Sequence, residues 1–211
     1  MKREYFHLLL ALASVSFVAC NSSDNSVVKP QEKIVEKLPQ PFRFQKAIEV
    51  APGLTFDVLS WGRGGADSVG AFTIFRSDST HARYSSTESE LDGKITDAWN
   101  MDMDSDGSPE IFIQSAEKDQ TLKMYVYEFN NSGDPRKINF PKLTDKTKKL
   151  YRGHDSVYVK DGKLRREFPL YNEGDADNKP GGGKKVVEYD LRGNEFDIHE
   201  IESDQDGNKK N

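Results

Sequence analysis

One stretch near the middle restricts this chain most: Ile95-Thr-Asp-Ala-Trp-Asn-Met-Asp-Met-Asp-Ser-Asp-Gly-Ser-Pro-Glu-Ile-Phe-Ile113. Two apolar, strand-like runs flank a turn built from Asp102, Asp104, Asp106 and Gly107. Glycine takes positive φ at little steric cost, and Asp side chains accept from nearby backbone N–H groups. Pro109 bars helix continuation, so the chain leaves the turn as a new strand at Glu110. The stretch predicts the central hairpin of an antiparallel β-domain.

The flanking sequence continues in the same manner. Leu54–Leu59, Ala71–Arg76, Lys94–Met101, Glu110–Ser115, Leu122–Phe129, Ser156–Lys160, Lys163–Phe168 and Lys185–Leu191 read as strands, mostly by period-two alternation. Asp161-Gly162 between two of them is a strong hairpin signal. Ser77–Asp92 is polar and reads as loop, with Tyr84 as its one large anchor, and Leu143–Leu150 reads as one short helical segment. Asn172–Lys185 reads as an acidic, glycine-rich loop. The expected class is all-β: a single antiparallel sandwich or barrel-like domain of about eight strands, each sheet burying one side.

The ends read differently. Lys2 and Arg3 precede the apolar run Leu8–Val18, which is too short to span a bilayer comfortably. The run closes on Phe17-Val18-Ala19-Cys20, and Cys20 is the sole cysteine of the 211 residues. This resembles a bacterial lipobox, although Phe17 stands where Leu is usual; an ordinary secretory signal is the other reading. The expected organisation is a lipoprotein signal peptide at 1–19, then a lipidated Cys20 and flexible tether at 20–44. The β-domain follows at 45–198 and a polar tail at 199–211. Several acyl chains, palmitate among them, anchor firmly where one does not. Asn21 is not the Asp of inner-membrane retention, so the expected location is the outer membrane, facing the periplasm or the cell surface. With one cysteine there is no intrachain disulfide. A net charge of -5 gives no sign of nucleic acid, which wants a basic stripe.

Two kinds of chemistry are worth weighing. Asp102, Asp104, Asp106 and Glu110 follow the Asp-x-Asp-x-Asp-Gly-x-x-Glu spacing of calcium loops, whose alternating oxygens suit a hard cation. The loop is not an EF-hand, because Ile113 holds the place of the closing Glu. It is closer to the calcium hairpins of integrin-type propeller repeats, yet the hairpin has no internal repeat, which counts against a propeller. The plainer reading is a turn with solvated carboxylates. No cofactor is required, and Ca²⁺ is the one candidate. Catalysis is not expected: past the signal peptide the histidines are His81, His154 and His199, with no HExxH and no nucleophile elbow.

Three stretches together resemble the periplasmic inhibitors of invertebrate-type (I-type) lysozyme, in a lipoprotein form. Ser68-Val-Gly-Ala-Phe72 is similar to the Ser-x-Gly-x-Tyr loop of lysozyme inhibitors. The second stretch is the central hairpin, Ile95–Trp99 through Asp102–Glu110. The third is Tyr151-Arg-Gly-His-Asp155, followed by Leu164–Tyr171 and Gly174-Asp175. The similarity covers roughly residues 54–191. The resemblance implies an antiparallel β-domain that plugs a lysozyme groove, the Ser68 hydroxyl meeting the catalytic carboxyl, Gly70 making the turn and Phe72 supporting the loop. Phe72 departs from the family's Tyr and lacks its hydroxyl. Tyr151, Arg152 and His154 would sit on a second loop nearby, with Arg152 bridging to a lysozyme carboxylate. The implied partners are a lysozyme and, through the anchor, the membrane; a homodimer is a further option. The alternative is a calcium-stabilised cell-surface β-domain that binds glycan or an envelope protein.

Overall fold

The computed structural model describes residues 37–62 and 69–201. Cys20, the signal peptide and Ser68 lie outside the described residues. Three four-stranded antiparallel sheets follow one another along the chain. The first comprises β1 (Phe42–Ala51), β2 (Leu54–Trp61), β3 (Val69–Asp78) and β4 (Arg83–Asp92). The second comprises β5 (Lys94–Met101), β6 (Glu110–Ala116), β7 (Leu122–Phe129) and β8 (Pro135–Ile138). The helix α1 (Asp145–Leu150) leads to the third: β9 (Ser156–Lys160), β10 (Lys163–Pro169), β11 (Lys184–Arg192) and β12 (Glu195–Ile201). Spatial order equals chain order in every sheet, so each is a meander. No hairpin sequence repeats, yet one topology is used three times.

The fold is all-β and antiparallel, as expected. The expected eight strands become twelve, and the two layers of a sandwich become three sheets. The middle sheet explains the difference. Ile111, Ile113, Tyr127 and Phe129 join Phe56, Val58, Phe72 and Ile74 of the first sheet in one core. Phe112, Val126 and Ile138, on the other face, join Leu164, Phe168, Val187, Tyr189 and Leu191 of the third sheet in a second core. The expectation of one buried side per sheet therefore fails at the centre. Ile111-Phe112-Ile113 is a continuous apolar run because both of its faces are covered. In β5 the pairing slips between Ile95 and Asp97. The extra residue, Thr96, turns Ile95 and Ala98 toward the same core, while Trp99 and Met101 pack against the other.

The element most at odds with its sequence is β4, which read as loop. It pairs with β3 over its whole length, from Val69↔Asp92 to Asp78↔Arg83. Its inward positions are Thr87, Ser89 and Leu91, so hydropathy hides the alternation. Tyr84 anchors nothing there: it is 70% exposed on the outer face. Strand β1 begins at Phe42 and β12 runs to Ile201, so the domain extends a few residues beyond both expected limits, 45 and 198. At Asp161-Gly162 both residues take positive φ, 54° and 76°, closing the β9–β10 hairpin as expected. Thr144 caps α1, accepting from Thr147 N at 3.3 Å, and Asp145 and Lys148 match the helix dipole.

Candidate functional site

Successive turns of a meander alternate between its two ends. The β2–β3, β4–β5 and β6–β7 connections therefore share one end, and a chain of contacts ties them together. Val69, where the 62–68 connection enters β3, pairs with Asp92 at the end of β4. Lys123 bridges Asp92 at 2.6 Å and Glu117 at 2.9 Å, joining the β4–β5 turn to the β6–β7 turn. The hydrogen bonds that Lys123 donates to those two carboxylates push its ammonium up from its ordinary pKa, Asp92 most. Ser115 Oγ donates to Asp92 O at 2.8 Å, and Asp92 N donates to Tyr125 Oη at 2.8 Å. On the far side of the β6–β7 turn, His154 N donates to Gln120 O at 3.3 Å. Gly153 has φ +84°, and a Cβ there would meet Gln120 O at 2.3 Å, so only glycine fits. The foot of the 62–68 connection and the 151–155 segment, far apart in sequence, are thus fastened to one end of the sheets.

The individual residues divide into frame and surface. Gly70 opens β3 with its Cα against the Trp61 carbonyl; an added Cβ would lie 2.7 Å from that oxygen. Phe72, expected to support the loop at the partner contact, is 0% exposed and belongs to the first core. Its ring meets Tyr125 edge-on at 5.1 Å and Tyr127 at 6.1 Å. The position that is Tyr in the resembling family is here an apolar core position, and Phe72 is corrected from a contact to an internal support. Tyr151 is half-buried and fully engaged: its hydroxyl donates to Asp155 Oδ2 and accepts from Leu122 N at 2.9 Å. Burial pushes its pKa up, and the Asp155 carboxylate adds to that. Tyr151 is therefore also frame.

Asp155 in turn receives Arg166 Nε at 2.5 Å, and both side chains are almost wholly buried. Burial opposes the Arg166 charge, but Asp155 outweighs it and holds the guanidinium above its usual pKa. This buried pair was not foreseen; Asp155 lay inside the motif, but its partner sits on β10. Arg152 stacks over the Tyr171 ring at 4.8 Å and donates to Asp175 O at 2.9 Å and Asp177 Oδ1 at 3.0 Å. Hydrogen bonds from Asn172 N and Gly181 N hold the Asp175 carboxyl below its ordinary pKa. His154 is exposed, with φ +64°.

The acidic turn lies at the opposite end of the β5–β6 hairpin, whose register runs from Lys94↔Ala116 to Met101↔Glu110. The turn folds on its own carboxylates. Gly107 N donates to Asp102 Oδ2 at 3.2 Å, Asp106 N to Asp104 Oδ1 at 3.3 Å, and Ser108 N to Asp106 Oδ1 at 2.7 Å. Glu110 is 0% exposed and pairs across the sheet with Glu128, itself bound by Arg136 at 2.5 Å. Burial, helped by Asp104 and Asp102, pushes the Glu110 carboxyl up to about 7. The acidic turn and the 151–155 segment are not one site.

A second surface went unseen in the sequence. The outer face of the first sheet carries a cleft of about 650 Å³ lined by Phe42, Phe75 and Tyr84, with Gln45, Asp57 and Ser77 as polar groups. No protein-family model matches the chain, and no curated protein or solved structure matches it significantly.

Proposed function

We propose that this chain is a non-catalytic lipoprotein of the bacterial cell envelope that inhibits a lysozyme, the invertebrate type first, by lodging its 62–68 connection in the substrate groove. The observation that supports this reading is the convergence of two separate stretches of the resemblance, the Ser68–Phe72 segment by its foot and Tyr151–Asp155, on one end of the sheets. Lysozymes cleave with a carboxylic acid of raised pKa beside a second carboxylate. A serine hydroxyl both donates to and accepts from such a group, which is the role given to Ser68. The sequence of the connection includes Gly62, Gly64 and Gly65, which carry no side-chain bulk. Phe72 serves from inside the first core, four residues along the chain from Ser68. Arg152 is tied to Asp177, but Asp177 is 96% exposed. Such an ion pair is worth little in water, so a carboxylate of the enzyme can displace it bidentately. Cys20 carries the anchor, and the polar stretch after it is the tether.

The test is turnover of peptidoglycan by invertebrate-type, chicken-type and goose-type lysozymes with increasing amounts of the purified full chain. Dose-dependent inhibition of the invertebrate type is the expected outcome. Full activity of all three, with the near-UV circular dichroism of a packed chain, would refute the reading. The cleft of the first sheet favours a second one, glycan binding. Exposed aromatic faces with a few polar groups in a cleft of this size suit a small ligand. Tyr84→Ala separates the two: it should abolish glycan binding and leave lysozyme inhibition unchanged.

A further inference from the structure

We infer that the β5–β6 turn is a calcium site and that the buried Glu110 is its inner ligand. Carboxylate oxygens of Asp102, Asp104 and Asp106 lie within 4.8 Å of one another. Oxygens at about 2.3–2.6 Å from a calcium ion sit up to about 4.6–5.2 Å apart across it, so the three are spaced to close on a common ion with a small adjustment. Exposed acidic clusters are common, and this one alone would mean little. Glu110 is the second observation. Its Oε2 accepts from Met103 N at 2.7 Å, and Met103 lies between Asp102 and Asp104. The carboxylate therefore forms the inner wall of the same turn. Its Oε1 is buried and has no hydrogen-bond partner among the described residues. A buried carboxylate with an unanswered oxygen is costly, and the N–H that its other oxygen accepts belongs to the residue between two of the turn's carboxylates. Residues 102–110 contain four acids and no Lys or Arg, and the nearby Arg136 is held by Glu128. The arrangement calls for a cation from outside the chain.

The spacing says which kind. Counting Asp102 as position one, the acids fall at one, three, five and nine, with glycine at six. Position seven, Ser108, supplies a backbone carbonyl in loops of this pattern, and oxygens alone suit a hard cation that accepts six to eight of them. Position twelve is Ile113, wholly buried in the first core, so the closing bidentate Glu is replaced by Glu110 on the other face of β6. With Glu110 offering one free oxygen where the closing Glu of a sensor loop offers two, the affinity belongs with extracellular modules, about 10⁻⁴–10⁻³ M. The inference does not depend on the lysozyme reading.

The experiment titrates calcium chloride into the metal-stripped full chain by calorimetry, with thermal unfolding in parallel and magnesium chloride as the control. Saturable binding in that range is expected, with a Tm rise of about 3–10 °C at 10 mM calcium and a clearly smaller one with magnesium. Glu110→Gln keeps the shape and the Met103 bond. It should weaken calcium binding at least tenfold without lowering the metal-free Tm. Asp104→Asn, on the turn's surface, should weaken it likewise while leaving the core untouched. A folded chain that shows neither heat nor Tm shift up to 10 mM calcium overturns the site. So does an equal response to magnesium. Calcium binding that survives Glu110→Gln undiminished overturns the assignment of Glu110 whatever Asp104→Asn does.

Discussion

The 151–155 segment and the 102–109 turn are both short and polar, each with carboxylates in or around it, and the fold treats those carboxylates in opposite ways. Around the first, four carboxylates meet a cation, and Asp175 accepts from Asn172 N and Gly181 N. Asp155 holds Arg166 of β10, Asp177 holds Arg152, and Asp92 and Glu117 share Lys123 of β7. Around the second, the carboxylates accept from the turn's own N–H groups, and Glu110 is drawn inside with one oxygen unanswered. The first arrangement makes a rigid frame for whatever projects from that end. The second concentrates negative charge in one turn. Charge density in the sequence does not tell the two apart; the register of neighbouring strands does.

Four substitutions break or sharpen this contrast. The largest effect is expected for Asp155→Ala, which strands the buried Arg166 charge and removes the acceptor of the Tyr151 hydroxyl. Loss of one partner of a buried pair costs about 3–5 kcal/mol, read by urea unfolding. Phe72→Ala should cost a similar amount, about 3–5 kcal/mol, by opening a cavity against Tyr125 and Tyr127 in the first core. Phe72→Tyr places a hydroxyl at a wholly buried position. It should destabilise by about 1–3 kcal/mol rather than improve inhibition. Arg152→Ala should shift stability by less than about 1 kcal/mol, because its ion pair is solvated, and should raise the inhibitory concentration against lysozyme. If Arg152→Ala instead unfolds the chain, the division into frame and surface is wrong at that residue.

Much of the fold could be read directly from residues. Lys94–Met101, Leu122–Phe129 and Ser156–Lys160 show their strand limits because polar and turn residues bound them on both sides. Asp161-Gly162 announces its hairpin because few other pairs accept two positive φ angles. Strand β4 was hidden because an edge strand can face its core with Thr87 and Ser89. The third sheet was hidden because Ile111-Phe112-Ile113 looks the same whether one face is covered or two. In the candidate site, the motif residues were visible but their roles were not. Phe72 reads as a contact until the register places it between Tyr125 and Tyr127. Glu110 reads as a solvated turn acid until its burial is seen. The Asp92–Lys123–Glu117 link joins residues of three elements, and no spacing rule reaches across them.

The central claim is that the 62–68 connection acts by its serine on the frame beneath it. The most direct measurement compares the inhibitory concentration of the full chain with that of Ser68→Ala against invertebrate-type lysozyme, with Glu110→Gln as a control at the opposite end. The account predicts a loss of about 30-fold or more for Ser68→Ala, as expected when a central contact residue is removed, and no change for Glu110→Gln. Equal inhibition by the wild type and Ser68→Ala, both folded, would contradict it.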